Sequence, residues 1–328
     1  MYITANTVDD LLRRVFTRLL DANQRVTATR GDNTEIVGVL LQLSNPRARL
    51  SRTENKQVLF SCLGELLWYL AGSRQLAFIE YYLSQYQRES DDGVTVHGAY
   101  GPRLFHMHGQ DQVANVLSLL RARPTSRRAV IQMFDAADLA TAHKDVPCTC
   151  SLQFIIREGR LHLFTAMRSN DAYLGLPHDI FAFTMLQEIM ARSLGVELGT
   201  YKHAVGSLHL YKRHRKAARG FLREGWQEFI SMPAMPTVDP WPSIRAVITC
   251  EKSIRLRGGL PRRMVKLDQY WMDIVRLLRI YRCFRDHDSA SISQLKQEMS
   301  ANVFDMYIDH KRRAVQRRGG QSRRSARH

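Results

Sequence analysis

A chain of 328 residues with 45% hydrophobic and 9% aromatic content can bury a core of ordinary size, which excludes a disordered protein. No stretch reaches the ~20 apolar residues that a membrane helix needs. The first fourteen residues carry Asp9, Asp10, Arg13 and Arg14 where a secretory leader would be apolar, so a cytoplasmic protein is expected. The net charge of +17 is concentrated near the end, in Lys311, Arg312, Arg313, Arg317, Arg318, Arg323, Arg324 and Arg327. That run reads as a disordered basic tail, either a solvated end or a weak electrostatic contact for RNA or DNA. Five cysteines, Cys62, Cys148, Cys150, Cys250 and Cys283, form no disulfide framework, and an odd count leaves at least one thiol unpaired.

In chain order, Val8, Leu11, Leu12, Val15 and Leu19 recur at helical spacing opposite Asp9, Asp10, Arg13 and Arg14, which predicts an amphipathic helix over 7–20. Residues 35–43 (EIVGVLLQL) read as a strand. Residues 56–71 and 180–194 are long and apolar enough for buried helices. Residues 151–156 and 160–166 flank Glu158-Gly159 as a predicted hairpin. After Tyr211 come a basic helical stretch over 212–225 and a connector holding Pro233, Pro236, Pro240 and Pro242. Helical periodicity returns over 268–284, expected to pack back on the main body. Strands and helices mix without βαβ alternation, so the fold class expected is α+β. The expected organisation is a catalytic domain over 1–285, a helical segment over 286–310 and the basic tail over 311–328.

The chemistry starts at Asp145-Val146-Pro147-Cys148-Thr149-Cys150. Proline fixes the backbone before Cys148 and aims its thiol. A cysteine attacks only as thiolate, so a nucleophilic role requires a cation beside it. By itself, a cysteine next to a strand is more often packing than catalysis. Cys150, two residues on along an extended chain, reads as packing, and with no second ligand pair at suitable spacing a metal site is not expected. Arg127 and Arg128 after Ser126, and Arg168 before Ser169, offer the guanidinium forks and hydroxyl that suit a phosphate. Each arginine could equally be a solvated surface residue. The run Arg168-Ser169-Asn170-Asp171-Ala172-Tyr173-Leu174-Gly175-Leu176-Pro177-His178-Asp179 leads polar groups into an apolar helix, where ligands are commonly held.

Taken together, Pro-Cys, then Arg-Ser-x-Asp-x-x-Leu-Gly-x-Pro, then Gly206-Ser207-Leu208-His209-Leu210-Tyr211 resemble in order and spacing the signature of the thymidylate synthase superfamily. Glu65-Leu66-Leu67-Trp68-Tyr69-Leu70 and Ser126-Arg127-Arg128 match it as well. The resemblance runs from about Val8 to Tyr211, with a weaker continuation to about Phe284. It implies a mixed sheet flanked by helices, to which this chain adds a basic C-terminal extension. It implies folate-dependent transfer of one carbon to C5 of a pyrimidine nucleoside 5′-monophosphate, with 5,10-methylenetetrahydrofolate as co-substrate.

By the same resemblance Cys148 adds to C6 of the ring. Arg168, Ser169 and Arg30 hold the phosphate, with Arg127 and Arg128 reaching across from the partner of a homodimer. His209 and Tyr211 bind the sugar 3′-hydroxyl. Glu65 organises water and proton transfer, and Asp171, Leu174 and Gly175 lie against the folate.

Departures from the pattern shape the substrate expectation. Thymidylate synthases carry Asn where this chain has Asp179, and that Asn reads N3–H and O4 of uracil. Cytosine reverses that edge, and a protonated carboxyl can donate to N3 while accepting from the C4 amine. The site pattern therefore resembles the cytidylate or deoxycytidylate hydroxymethylase and methylase branch. His178 and Thr149 also depart from the thymidylate synthase form. Ile79-Glu80-Tyr81-Tyr82 replaces a Trp-rich segment of methylating members, which favours capture of the added carbon by water. The leading expectation is hydroxymethylation of CMP or dCMP. The alternatives are a thymidylate synthase converting dUMP to dTMP and a nucleic-acid-binding protein on the same fold.

Overall fold

The computed structural model describes residues 1–28 and 30–325, the side chains of 316–325 excepted. The chain divides into two compact units, Met1–Pro240 and Trp241–His328. In the first, β1 (Tyr2–Ala5) leads to α1 (Val8–Asp21), and β2 (Arg25–Ala28) and β3 (Gly31–Leu43) precede α2 (Leu59–Leu70) and the short α3 (Leu76–Ile79). Then come α4 (Tyr100–Phe105), α5 (Gln112–Ala122), β4 (Val130–Gln132), β5 (Thr149–Arg157) and β6 (Arg160–Asp171). The unit closes with α6 (Gly175–Leu194), β7 (Glu197–Tyr211) and α7 (Arg215–Arg223).

The strands form one seven-stranded sheet in the order β1-β3-β7-β6-β5-β4, with β2 paired to β3. It is mixed, since β1–β3 and β6–β7 are parallel whereas β3–β7, β5–β6 and β4–β5 are antiparallel. Helices flank it, as the α+β expectation requires. The predicted hairpin is present: Glu158 and Gly159 both have positive φ, 50° and 69°, the twist that a two-residue turn between antiparallel strands needs.

Local chemistry explains the elements nearest the site. The Thr7 side chain accepts from the Asp10 amide at 3.0 Å and starts α1, whose Leu11, Leu12, Val15, Phe16 and Leu19 are fully buried. The centre of α6 is buried all round. Its Glu188 lies in the core, paired to the equally buried Arg49 and to Arg47 Nε at 2.8 Å, and it accepts from the Met235 amide at 3.0 Å. A buried carboxylate is tolerable only when so satisfied, and removing a partner typically costs about 3–5 kcal/mol. This network ties α6, whose second turn carries Asp179, to the loops that hold Arg47, Arg49 and Met235.

The second unit consists of α8 (Trp241–Arg257), α9 (Gln269–Asp286), α10 (Ser289–Gln297) and α11 (Asp305–Ser325). The unit boundary falls after Pro240, not at 285 as the sequence suggests, because the periodic face of 268–284 is met by α8, α10 and α11. Asp273, 2% exposed, accepts from the Ser300 and Ala301 amides, both at 3.1 Å, and from Arg276, which ties α9 to the loop before α11. The basic run from 311, expected as a disordered tail, continues α11 as far as Ser325, its lysine, arginines and glutamines being good helix formers. Residues 326–328 of that expected tail lie outside the described residues. Among the described residues, no helix is long and apolar enough to cross a membrane.

Candidate active site

Cys148 ends the loop that enters β5, and its carbonyl accepts from the Arg168 amide on β6 at 2.8 Å. The Arg168 side chain folds back under the same loop, donating to the carbonyls of Pro147 at 2.9 Å and Val146 at 2.8 Å. One arginine therefore shapes the cysteine loop and brings positive charge to the sulfur. Burial pushes the Cys148 pKa up to about 11, with Arg168 and Arg30 opposing and Asp179 and Asp145 adding to the rise. That favours the thiol over the thiolate. Cys150 sits where the β5–β6 register slips, between Thr149 and Ser151, so a bulge breaks the same-face alternation expected with Cys148. Its carbonyl accepts from the Met133 and Phe134 amides.

Beside the thiol lies Tyr100, whose hydroxyl accepts from Thr149 N at 3.1 Å and Thr149 Oγ1 at 2.9 Å. Burial holds that phenol well above its ordinary pKa, so it is a neutral donor. Asp145 is packed into the loop against Gly98, where a side-chain Cβ would come 2.4 Å from its Oδ2. Burial, with Glu89 nearby, raises the Asp145 pKa to about 6.

A second group comes from α2 and α6. Glu65 on α2 accepts from the Tyr86 hydroxyl at 2.7 Å and from Tyr69. Burial raises its pKa, although both phenols favour the anion. Asp179 on α6 is closely surrounded by protein. Its carboxyl is pushed well above the usual carboxylate range by that burial and then by Glu65. The Asn170 amide donates to Asp179 Oδ2 at 2.6 Å. His178, adjacent in sequence, contacts Ser61 Oγ through Nε2 and the Leu174 carbonyl through Nδ1, both at 2.9 Å. Burial lowers its pKa to about 4, so it is neutral.

The ends of β6 and β7 supply the third group. Register places Asp171 opposite His209 and Ser169 opposite Ser207. The His209 and Tyr211 rings meet edge to face at 5.0 Å, and Arg213 stacks on Tyr211 at 4.2 Å. Burial lowers the His209 pKa while Asp171 pulls it up. Asp171 Oδ1 accepts from the Tyr173 and Leu174 amides at 2.8 and 3.0 Å, which fixes the turn into Gly175 and α6. Lys56 is 2% exposed, with its ammonium 3.9 Å from the Tyr173 ring centre. Burial lowers its pKa to about 8 against the pull of Asp171.

Of the residues the sequence singles out, Cys148, Arg168, Glu65, Asp179, Asp171, His209 and Tyr211 interact as one electrostatic neighbourhood. Arg30 joins it from the turn between β2 and β3, paired there with Glu89 and 3.4 Å from the Lys144 carbonyl. Arg127 and Arg128 stand apart, exposed before β4. Tyr100, Tyr86, Asp145, Asn170 and Lys56 were not singled out. Asn170 lies inside the quoted Arg-Ser-x-Asp motif, at its variable position. Asp145 opens the quoted run before Cys148 but was given no role, and Tyr100, Tyr86 and Lys56 carry no spacing signal, because loops and helices distant in sequence bring them in. Among the described residues, no group of His, Cys, Asp or Glu is placed to hold a metal ion.

A half-buried thiol, a carboxyl pushed toward its neutral form, a second carboxyl on tyrosines and strand-end polar pairs are brought together, group types that covalent addition to a polar ring requires. Residues 7–239 match the thymidylate synthase family, and the chain belongs to that family, whose members transfer a one-carbon unit from methylenetetrahydrofolate to C5 of a pyrimidine nucleotide. Among similar proteins is a deoxyuridylate hydroxymethyltransferase of Pseudomonas phage M6, 36% identical over 156 residues, which are 47% of this chain and 44% of that protein. Another is a deoxyuridylate hydroxymethyltransferase of Delftia phage PhiW-14, 31% identical over 207 residues, 59% of this chain and 57% of that protein. The chain spans about half the length of these curated relatives.

Proposed function

We propose that this protein hydroxymethylates C5 of a cytosine nucleoside 5′-monophosphate, CMP or dCMP, with Cys148 as nucleophile and 5,10-methylenetetrahydrofolate as carbon donor. The observation that carries the base assignment is Asp179. Burial and Glu65 favour its neutral form, and a neutral carboxyl offers one donor and one acceptor to the N3 and C4-amino edge of cytosine. The hydroxymethyl outcome is supported by the names of the two phage relatives. Those names also favour a second reading, in which the base is uracil and the product 5-hydroxymethyl-dUMP.

Phosphate binding falls to Arg168, Ser169 and Arg30, with Arg127 and Arg128 contributed by the second subunit of a homodimer. Their exposure suits that role. Formation of the Cys148 Sγ–C6 bond requires loss of the thiol proton and moves the C5=C6 electron pair toward C5. Arg168 is the guanidinium that eases the sulfur's charge. Proton donation from Asp179 to N3 discharges the ring, leaving C5 nucleophilic. The folate would supply an electrophilic carbon at the formaldehyde oxidation level. C5 bonds to that carbon and loses its hydrogen as a proton, for which Glu65 is the buried carboxylate at hand. Departure of tetrahydrofolate leaves an exocyclic methylene, water adds to it, and the S–C6 bond breaks to restore the thiol as N3 returns its proton to Asp179. No hydride is consumed.

The residues at the β6–α6 turn suit the folate. Asp171 keeps one oxygen for pterin N–H groups while the other braces the turn, Leu174 and Gly175 give a flat backbone surface, and Lys56 offers a buried cation to a carboxylate. The test is incubation with methylenetetrahydrofolate and each of CMP, dCMP, UMP and dUMP, with products identified by mass. A hydroxymethylated cytosine nucleotide is expected. Turnover confined to uracil nucleotides overturns the base assignment, and a methyl product overturns the water step.

A further inference from the structure

The carboxyl of Asp179 is symmetric in shape, and a neutral carboxyl can present its two oxygens in either order. With its carbonyl toward the C4 substituent and its hydroxyl toward N3 it complements cytosine. Turned over, it accepts from N3–H and donates to O4, and so complements uracil. Burial makes Asp179 neutral but does not decide between these orders. Something else must.

Asn170 is 3% exposed and lies on β6, nine positions before Asp179. Its Nδ2 sits 2.6 Å from Asp179 Oδ2 and 3.3 Å from the Met167 sulfur. A thioether can only accept, so Met167 pins the nitrogen of this amide, not its oxygen, on the side facing the carboxyl. The amide oxygen is buried and meets no donor among the described residues. An unsatisfied buried acceptor costs free energy, and the arrangement therefore gives up one hydrogen bond to hold the amide in this sense. An N–H donated to Oδ2 makes that oxygen the carbonyl end and leaves the proton on Oδ1.

We propose that Asn170 is a specificity-determining positioning residue, which fixes the donor–acceptor order of the Asp179 carboxyl and so commits the pocket to one pyrimidine. The inference rests on the reading of Asp179 as the base contact, but not on which base is preferred. For cytosine, Oδ2 is the oxygen that faces the C4 amine. For uracil, the same lock holds the opposite face.

The experiment measures equilibrium binding of dCMP and dUMP, by calorimetry without folate, to the full chain and to its Asn170→Ala and Asn170→Ser variants. Thermal unfolding confirms that each variant is folded. The preferred nucleotide should weaken and the disfavoured one hold or tighten, so that the ratio of dissociation constants falls toward one by about tenfold or more. Loss of affinity for both nucleotides in equal proportion, with the ratio kept within about twofold, overturns the proposal and leaves Asn170 a packing residue. If neither variant folds, Asn170→Asp is measured across pH. Its neutral carboxyl can donate to Asp179 as the amide does, so the ratio should be kept at low pH and lost as that carboxyl ionises; a pH-independent ratio overturns the lock. A parent protein that prefers uracil refutes the cytosine assignment and leaves this test intact, because the ratio then relaxes from the other side.

Discussion

Replacing Asp179 by Asn separates recognition of the base from proton transfer to it. The amide is nearly isosteric with a neutral carboxyl, and its oxygen can take the place of Oδ2, 2.6 Å from the Asn170 amide. Its NH₂ then points where the Oδ1 proton points. Packing and hydrogen-bond order are both kept, so stability should change by less than about 1 kcal/mol and dCMP affinity by a few-fold at most. What the amide cannot do is give up a proton. In the parent, burial and Glu65 favour keeping that proton on the carboxyl. Its delivery to N3 accompanies attack by Cys148, and loss of such a general acid typically slows a step by about 10²–10⁴, or about 3–5 kcal/mol of barrier. Uracil already carries hydrogen on N3 and needs none. Asp179→Asn should therefore lower kcat on dCMP by about 10² or more with KM little changed, and move the kcat/KM ratio toward dUMP by a similar factor. Steady-state product formation with both nucleotides, alongside binding by calorimetry, gives the split. An unchanged kcat ratio, or a dCMP defect that lies wholly in binding, refutes the proton-donor role.

Cys148 should react slowly with iodoacetamide at neutral pH. Its rate should climb about tenfold per pH unit toward the thiol pKa of about 11, with a Cys148→Ser variant subtracting the contribution of the other cysteines; a rate already flat near pH 8 contradicts the raised pKa. Acid stability should show two histidines that the fold disfavours protonating. Burial lowers the pKa of His203 from 6.5 to about 3 and of His178 to about 4, so the unfolded chain binds protons that the folded one refuses. Stability is complete above pH 6.5 and falls as pH drops toward these values, by about 3 kcal/mol for His203 at pH 4.5. Because the raised Asp145 acts in the opposite sense between pH 3.8 and 6, the measurement is the difference in Tm between parent and His203→Gln from pH 7 to 4.5. It should shrink in acid, and a constant difference means that His203 is not the group refusing the proton.

Legibility in the sequence followed the range of the interactions. Helix α1, the β5–β6 hairpin and the centre of α6 are visible because their information is local: apolar spacing, a Glu-Gly turn and an uninterrupted apolar run. Cys148, Arg168, Asp171, His209 and Tyr211 are visible because the motifs that carry them lie on contiguous stretches. The unit boundary at Pro240 was not, since periodicity over 268–284 shows that a face is buried without showing what covers it. The bulge at Cys150 was not either, because pairing register is a property of two strands and not of one.

By itself the sequence determined the α+β class and the helices and strands with strong local patterns, the presence of a cysteine behind a proline, and a carboxyl at the place where a uracil reader carries an amide. Only the tertiary structure decided the state of those groups. The thiol is favoured because the fold surrounds it, despite the arginine beside it, and Asp179 is pushed toward its neutral form first by burial and then by Glu65 on α2. Its carboxyl has a fixed order because β6 sets an amide at hydrogen-bond distance and Met167 turns that amide around. A residue's identity fixes which protons it can hold, but desolvation and neighbouring charge fix which it does hold, and both depend on chain segments remote in sequence.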